Sequence, residues 1–421
     1  MVPLNIGIYY HSLENIGGIE RVILELSRIF NENSDNIVLI TSQPIVFLQK
    51  SIDVPSECLS KGNNRDSELD AIITQYRLDW LIVHDPSDEY LDSTISVAHK
   101  NKCKVALMIH FSFPSPIIFN EANHLYETVI HKGGNADAIA CVSQLDTLCW
   151  RSLGLPAFYV QNPFVHKNIS DDTSERKPNT NIVWIGRGVP QKKPLAALRI
   201  LQLIVSRMPD VILTMVGIGA SEQILLKEAQ QLGVVNNLRL VRGTDNVHPF
   251  YQTASVHLLT SVTESFCLVI AEAKEQGLPT VMFEIPFLEL TKSGEGVVVH
   301  PQDDYQSMAD SIVTLLSDHK LLKTYSDAAK ASLEEFNDKA VMDSWNRLFH
   351  GKVMETDYRL IQASAIPEMI NAWKIHIAEN KWKIDFCDNM NKISCSFFKK
   401  AVTFCSNRIF PVLIKLKRKI K

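Results

Sequence analysis

The chain has 421 residues, 46% of them hydrophobic, and a net charge of −4; that length suggests two domains with sizeable cores, and the balance argues against a nucleic-acid binder. Its eight cysteines are scattered, with no paired CxxC and no Cys/His cluster at zinc spacing, which argues against a metal- or disulfide-stapled scaffold and fits free thiols in a reducing compartment. No run of about eighteen apolar residues is present, and Met1 to Glu14 lacks a charged start with a long apolar core, so neither a membrane span nor a signal peptide is expected and the cytosol is the expected location.

In chain order, LNIGIYY (Leu4 to Tyr10) is a short apolar run of the kind that forms a buried strand, and GGIERVILELSRIFNE behind it carries apolar residues at helical spacing. Between them lies NIGGIERV (Asn15 to Val22), at the carboxyl edge of the strand, where an open α/β sheet binds ligands. Gly17 and Gly18 let backbone N–H groups come close to a ligand and the helix starting there offers an anion site; the same pair also suits a plain strand-to-helix turn. The alternation continues through NIVLIT, WLIVHD, KVALMIH, AIACVS and AFYVQNPF, and predicts a parallel sheet with helices on both faces. His84 and His110 stand at the ends of two of these strands. Either imidazole could hydrogen-bond a ligand at that edge, and either could equally be a packing or turn residue.

VHKNISDDTSERKPNTN is polar and poor in large apolar residues, and reads as a linker. A second series follows, NIVWIG, VILTMVG, LRLVRG, SVHLLT, TVMFE and GVVV, and predicts six more strands in a second sheet of the same type. WIGRGVPQKKP (Trp184 to Pro194) brings Arg187, Lys192 and Lys193 to the ligand edge of that sheet, a planar fork and two mobile point charges suited to a diphosphate. LLTSVTESFCLVIAEAKEQGLPTVMFE (Leu258 to Glu284) reads as strand, loop, helix, strand, with a Thr and a Ser at the helix start. It sets Glu264 in the loop and Glu272 about two turns on; eight residues of helix span about 12 Å, more than the ~5 to 9.5 Å between the carboxyls of a glycoside hydrolase. The pair therefore reads as two clamps on one long ligand whose phosphates meet the helix N-terminus, a nucleotide sugar. The simpler alternative is that one glutamate serves the helix dipole and the other faces water.

Together these stretches resemble the family-4 retaining glycosyltransferases of the GT-B fold, over about Asn5 to Leu348. The most specific piece is the Glu-x7-Glu motif, ESFCLVIAE, with GLPTV behind it; the Gly-Gly loop, the GR with its lysine five residues on, CVSQ at Cys141, QNPF at Asn162 and GVVVHPQD at Gly296 support it. The resemblance implies an α/β architecture of two doubly wound, Rossmann-like domains facing a cleft: residues 1–163 on the acceptor side and 181–350 on the nucleotide-sugar side, with a linker at 164–180 and a helical, basic extension at 351–421. It implies a catalytic set of His110, Glu264, Arg187 and Lys192. In it Arg187 and Lys192 bind the donor diphosphate, Glu272 holds the ribose hydroxyls, and Glu264 and His110 contact the transferred sugar. Gly17 and Gly18 would border the donor phosphate and the acceptor, and Leu268 would belong to the same donor pocket. Cys267 stands where the family commonly has glycine, and Pro286 and Phe287 where it often has small residues.

The expected activity is metal-independent transfer, with retention of configuration, of a hexose-type sugar from a nucleoside diphosphate donor, a UDP-sugar first, to a glycan or lipid-linked acceptor in cell-surface polysaccharide assembly. No cofactor beyond that donor, no metal and no nucleic-acid partner is expected. The alternatives are a catalytically idle GT-B subunit that binds a partner protein or a glycan, and a nucleotide-sugar epimerase. Residues 381–421 carry eleven Lys and Arg against two Asp, +9 in a chain whose remainder is −13. Their interleaved apolar and basic residues suit an anionic membrane surface, a helix packed on the first domain, or a partner. A cytoplasmic protein is the expected setting, peripheral on the inner face of the cell membrane in the case that the extension binds it.

Overall fold

The structure, a computed structural model, describes residues 3–13, 17–43, 54–84, 86–115, 129–164, 179–244, 246–285, 288–291 and 296–352. Most of the linker expected at 164–180, all but the first two residues of the extension expected at 351–421, and Asn15, Pro286 and Phe287 lie outside the described residues.

The first sheet contains β1 (Asn5–Tyr9), β2 (Asn36–Thr41), β3 (Ser56–Cys58), β4 (Trp80–Val83), β5 (Lys104–Ile109), β6 (Ala138–Cys141) and β7 (Ala157–Tyr159), in the order β3-β2-β1-β4-β5-β6-β7 and parallel throughout. The second contains β8 (Asn181–Ile185), β9 (Ile212–Val216), β10 (Leu238–Val241), β11 (Val256–Leu259), β12 (Thr280–Phe283) and β13 (Val297–His300), in the order β10-β9-β8-β11-β12-β13 and again parallel. β4, β6, β11 and β12 are buried at every residue, as strands covered on both faces by helices must be, and their sequences are accordingly unbroken apolar runs with few polar positions. β3 is the strand the apolar pattern does not announce. It is three residues long, Ser-Glu-Cys, partly exposed at the sheet edge, where no buried face demands an apolar residue.

In each sheet the strand order reverses beside its first strand, between β1 and β4 and between β8 and β11. Connections leave in opposite directions there, and a crevice opens beyond the carboxyl ends. The two crevices face each other across a shared apolar floor. Leu13, Val22 and Ile23 from the first domain form one core cluster with Phe266, Ile270 and Ala271 from the second.

The helix Asp338–Phe349, expected within the second domain, lies on the first sheet instead. Val341, Trp345 and Leu348 make a stripe at helical spacing, and its cover is there: Trp345 meets Phe30 edge-on with ring centroids 5.6 Å apart, and Phe349 lies 5.3 Å from Trp80. Arg28 of the helix Gly18–Glu32 fixes its start with a two-pronged bond to Asp338 (2.9 and 3.1 Å), and Ser344 Oγ accepts the Gln161 N–H (3.0 Å).

Candidate functional site

The loops leaving β8 and β11 are tied to each other. After β8 the chain runs through Gly186, Arg187 and Gly188 into a 3-10 turn at Pro190–Lys192, and Lys193, at φ 44°, redirects it into the helix Pro194–Val205. Gly188 has no room for a side chain, since a Cβ there would stand 2.5 Å from the Ile218 carbonyl oxygen. From the β11 side, Thr260 donates to the Lys192 carbonyl (2.7 Å) and accepts Trp184 Nε1–H (2.9 Å). The Val262 N–H reaches Gln191 O and Gln191 Nε2 reaches Thr263 O, each at 2.9 Å. This frame carries Lys192 to the carboxylate of Glu264, and the two form an ion pair whose side chains are only 15% and 9% exposed. Arg187 stands exposed at the same strand end. Lys193, expected beside Arg187 and Lys192, is turned away by its left-handed backbone: its Nζ lies 2.8 Å from Asp303 Oδ1, over the Phe283 ring.

Glu264 precedes the helix, which begins at Leu268, so a helical rise does not measure the gap between the two glutamates. Ser265, expected to help start the helix, donates across the cleft to the His110 carbonyl (2.8 Å), and Thr263 Oγ1 meets Ser112 Oγ at 2.6 Å. The N-cap is Cys267, whose side chain makes no capping bond to the first N–H groups of the helix. Its backbone is left-handed, φ 68° and ψ 69°. That conformation is why glycine suits this position, and a side chain here costs about 1–2 kcal/mol. Burial, aided by the charge of Glu264, pushes the Cys267 thiol well above its usual range.

Glu272, on the second turn of the helix Leu268–Glu275, is held from two sides. Tyr251 OH donates to Oε2 (2.8 Å), and Arg21 Nη1, from the first domain, donates to Oε1 (2.7 Å). Sequence reading passed over Arg21, although it stands inside NIGGIERV, one turn into a helix that starts at the ligand edge. Gly17 and Gly18 serve the turn and the cleft together. The Gly17 N–H is capped by Glu20 Oε2 (3.0 Å), and Gly18 faces Leu268, where a Cβ would stand in ordinary contact, 3.7 Å from its Cδ1. Of the two histidines, His110 is half-buried beside the Ser265 contact, and His84 is buried behind it with Nδ1 2.9 Å from His110 Nε2. Among the described residues no three His, Cys, Asp or Glu side chains converge as metal ligands would, and no described helix is long and apolar enough to cross a membrane.

The site thus gathers residues from facing edges of two sheets: His110, Gly17, Gly18 and Arg21 on one side, Arg187, Lys192, Glu264, Leu268 and Glu272 on the other. Residues 166–332 match the family model of Glycosyl transferases group 1. The chain is 22% identical over 358 residues to an uncharacterized glycosyltransferase of Haemophilus influenzae, covering 81% of this chain and 98% of that protein. It is 24% identical over 233 residues to the amylovoran biosynthesis glycosyltransferase AmsD of Erwinia amylovora, 52% of this chain and 63% of that one. Among solved structures, the HepE protein of Anabaena in complex with UDP superposes with a TM-score of 0.69 at 16% identity, over 82% of this chain and 99% of its own. Two parallel sheets of this strand order facing a cleft, together with that superposition, are the GT-B fold.

Proposed function

We infer that this chain, a member of the glycosyl transferases group 1 through residues 166–332, moves a hexose-type sugar with retention of configuration. The donor is a nucleoside diphosphate sugar, UDP-linked, and the acceptor a glycan or lipid-linked saccharide of cell-surface polysaccharide assembly. One observation carries the reading: a helix whose N-cap makes no side-chain bond starts between Glu264, paired with Lys192, and Glu272, while Arg187 leaves the end of the neighbouring strand β8. A nucleotide sugar has the matching order of ribose hydroxyls, phosphates and sugar hydroxyls.

Glu272 takes the ribose, Arg187, Lys192 and the start of the helix take the diphosphate, and Glu264 takes the sugar. Leu268 packs beneath the donor, Gly17 and Gly18 border its phosphate and the acceptor, and His110 reaches the sugar from the first domain. Retention follows when the acceptor attacks from the face that the phosphate leaves, with the leaving phosphate taking the acceptor's proton. Arg187, Lys192 and the helix N-terminus meet the charge that grows on it, so the reaction is metal-independent. Lys192 is paired with Glu264 before the donor arrives, and its flexible stem and three N–H donors let it serve carboxylate and phosphate together. UDP in the Anabaena structure and the amylovoran biosynthesis role named for the Erwinia relative support the donor and the pathway class.

The test is a panel of labelled UDP- and GDP-sugars with the full-length protein, with and without EDTA, following transfer to extracted lipid acceptors, hydrolysis, isomerisation and thermal protection. Transfer or hydrolysis of a UDP-sugar that persists in EDTA is the expected outcome. Isomerisation would make the protein an epimerase, protection without any chemistry an idle subunit, and preference for GDP-sugars would overturn the choice of nucleotide.

A further inference from the structure

We propose that His84 is a positioning residue that fixes the tautomer of His110, so that His110 accepts a hydrogen bond at Nε2 and carries its proton on Nδ1. The inference rests on the reading of His110 as the first-domain contact to the donor.

The two rings meet through Nδ1 of His84 and Nε2 of His110, 2.9 Å apart, with centroids 5.1 Å apart and planes 22° apart. The centroid separation exceeds the nitrogen separation by about one ring radius at each end, so the rings lie end to end and close to coplanar. An N–H on one nitrogen then points along the lone pair of the other, which is hydrogen-bond geometry. Distance alone leaves open which ring donates. The far side of His84 decides it: its Nε2 is buried with no hydrogen-bond partner among the described residues. A proton on Nε2 would orphan an N–H in the core, whereas a proton on Nδ1 is donated to His110 and leaves only a lone pair unmet, the commoner and cheaper deficit. Burial holds His84 neutral, its pKa pushed well below the usual histidine value, so it has one N–H to place.

The consequence falls on His110. Neutral imidazole has one donor and one acceptor, and with Nε2 accepting from His84 the proton of His110 is on Nδ1. The Nδ1 of His110 is then an N–H donor, the polarity that suits a sugar hydroxyl oxygen or a leaving phosphate oxygen. His84 directly follows β4, and its backbone N–H donates to the Tyr9 carbonyl of β1 at 3.0 Å, which fixes its backbone behind the cleft wall.

Histidine-selective 15N labelling of the full chain, with His110→Ala to assign the signal, reads the tautomer from long-range 1H–15N couplings. We expect a protonated Nδ1 on His110 in the wild type. His84→Asn, which keeps an amide N–H near the Nδ1 position, retains it, and His84→Leu loses it. A proton on Nε2 of His110 in the wild type overturns the proposal, and that spectrum needs no variant to fold. In turnover, His84→Leu lowers kcat for the UDP-sugar about tenfold with a smaller change in KM, His84→Asn recovers most of it, and His84→Leu adds no further loss to His110→Ala. Additive losses would make His84 a packing residue only. Because the spectrum requires no turnover, a wild type with the expected tautomer and no transfer would sink the transferase reading alone.

Discussion

Lys192 reaches Glu264 inside a frame of backbone hydrogen bonds, and the pair is largely withdrawn from water. Removing one partner of such a pair strands the other, so Lys192→Ala is expected to cost about 3 kcal/mol of stability as well as donor turnover. Combining it with Glu264→Gln removes the stranded charge. Urea midpoints should then recover while sugar transfer stays low, and a double variant as unstable as the single would show that the frame, not the charge, had failed. Asp146 offers a second residue-scale check. It is fully buried, accepts the Phe113 N–H at 2.7 Å, and has its pKa pushed up to about 7 by burial, with that hydrogen bond pulling the other way. A carboxyl whose folded pKa lies above its unfolded value stabilises the fold while protonated. Its contribution is complete below about pH 4 and is lost as pH rises through about 7. Asp146→Asn keeps an acceptor for Phe113 and cannot ionise. Wild type should lose urea resistance relative to this variant between pH 4 and 8, and parallel curves would contradict the assignment.

At the scale of elements, the helix Asp338–Phe349 is a tie from the end of the described chain back to the first sheet. Trp345 is fully buried in it against Phe30 and Phe349, so Trp345→Ala should cost about 3–5 kcal/mol and lower the unfolding midpoint of the first domain; a loss confined to the second domain would misplace the helix. Its apolar stripe was legible in sequence but its destination was not, because a stripe states that a face is covered without saying by what. The strands were legible for the opposite reason: parallel strands buried on both sides spell themselves as apolar runs, and only β3, short and at the edge, lacked one. The placement of candidate residues was readable where chemistry and turn coincide, as at Gly17, Gly18, Lys192 and Glu264. It was unreadable where backbone direction decides, as at Lys193, sent to Asp303, and Ser265, sent to the His110 carbonyl. Cys267 belongs with these, since a left-handed residue cannot be told from its neighbours by periodicity. Its effect was to shorten the expected helix and leave it with an N-cap that makes no side-chain bond.

Across the whole molecule, the two domains touch through the groups expected to hold the donor. Ser265 and Thr263, beside Glu264, bond to residues 110 and 112, and Arg21 of the first domain occupies Glu272. A ribose that takes Glu272 must compete with Arg21, while Tyr251 keeps the carboxylate oriented throughout. The Arg21 and Glu272 side chains are 28% and 21% exposed, and a pair so open to water is worth a few tenths to about 1 kcal/mol. Arg21→Ala should therefore tighten UDP by about two- to fivefold in titration calorimetry at low salt, and the gain should shrink at high salt, where the competing pair is already screened. Glu272→Ala should weaken UDP at both. If Arg21→Ala instead weakens UDP, Arg21 touches the nucleotide itself, and the contact between the domains is part of the donor site rather than a competitor for it.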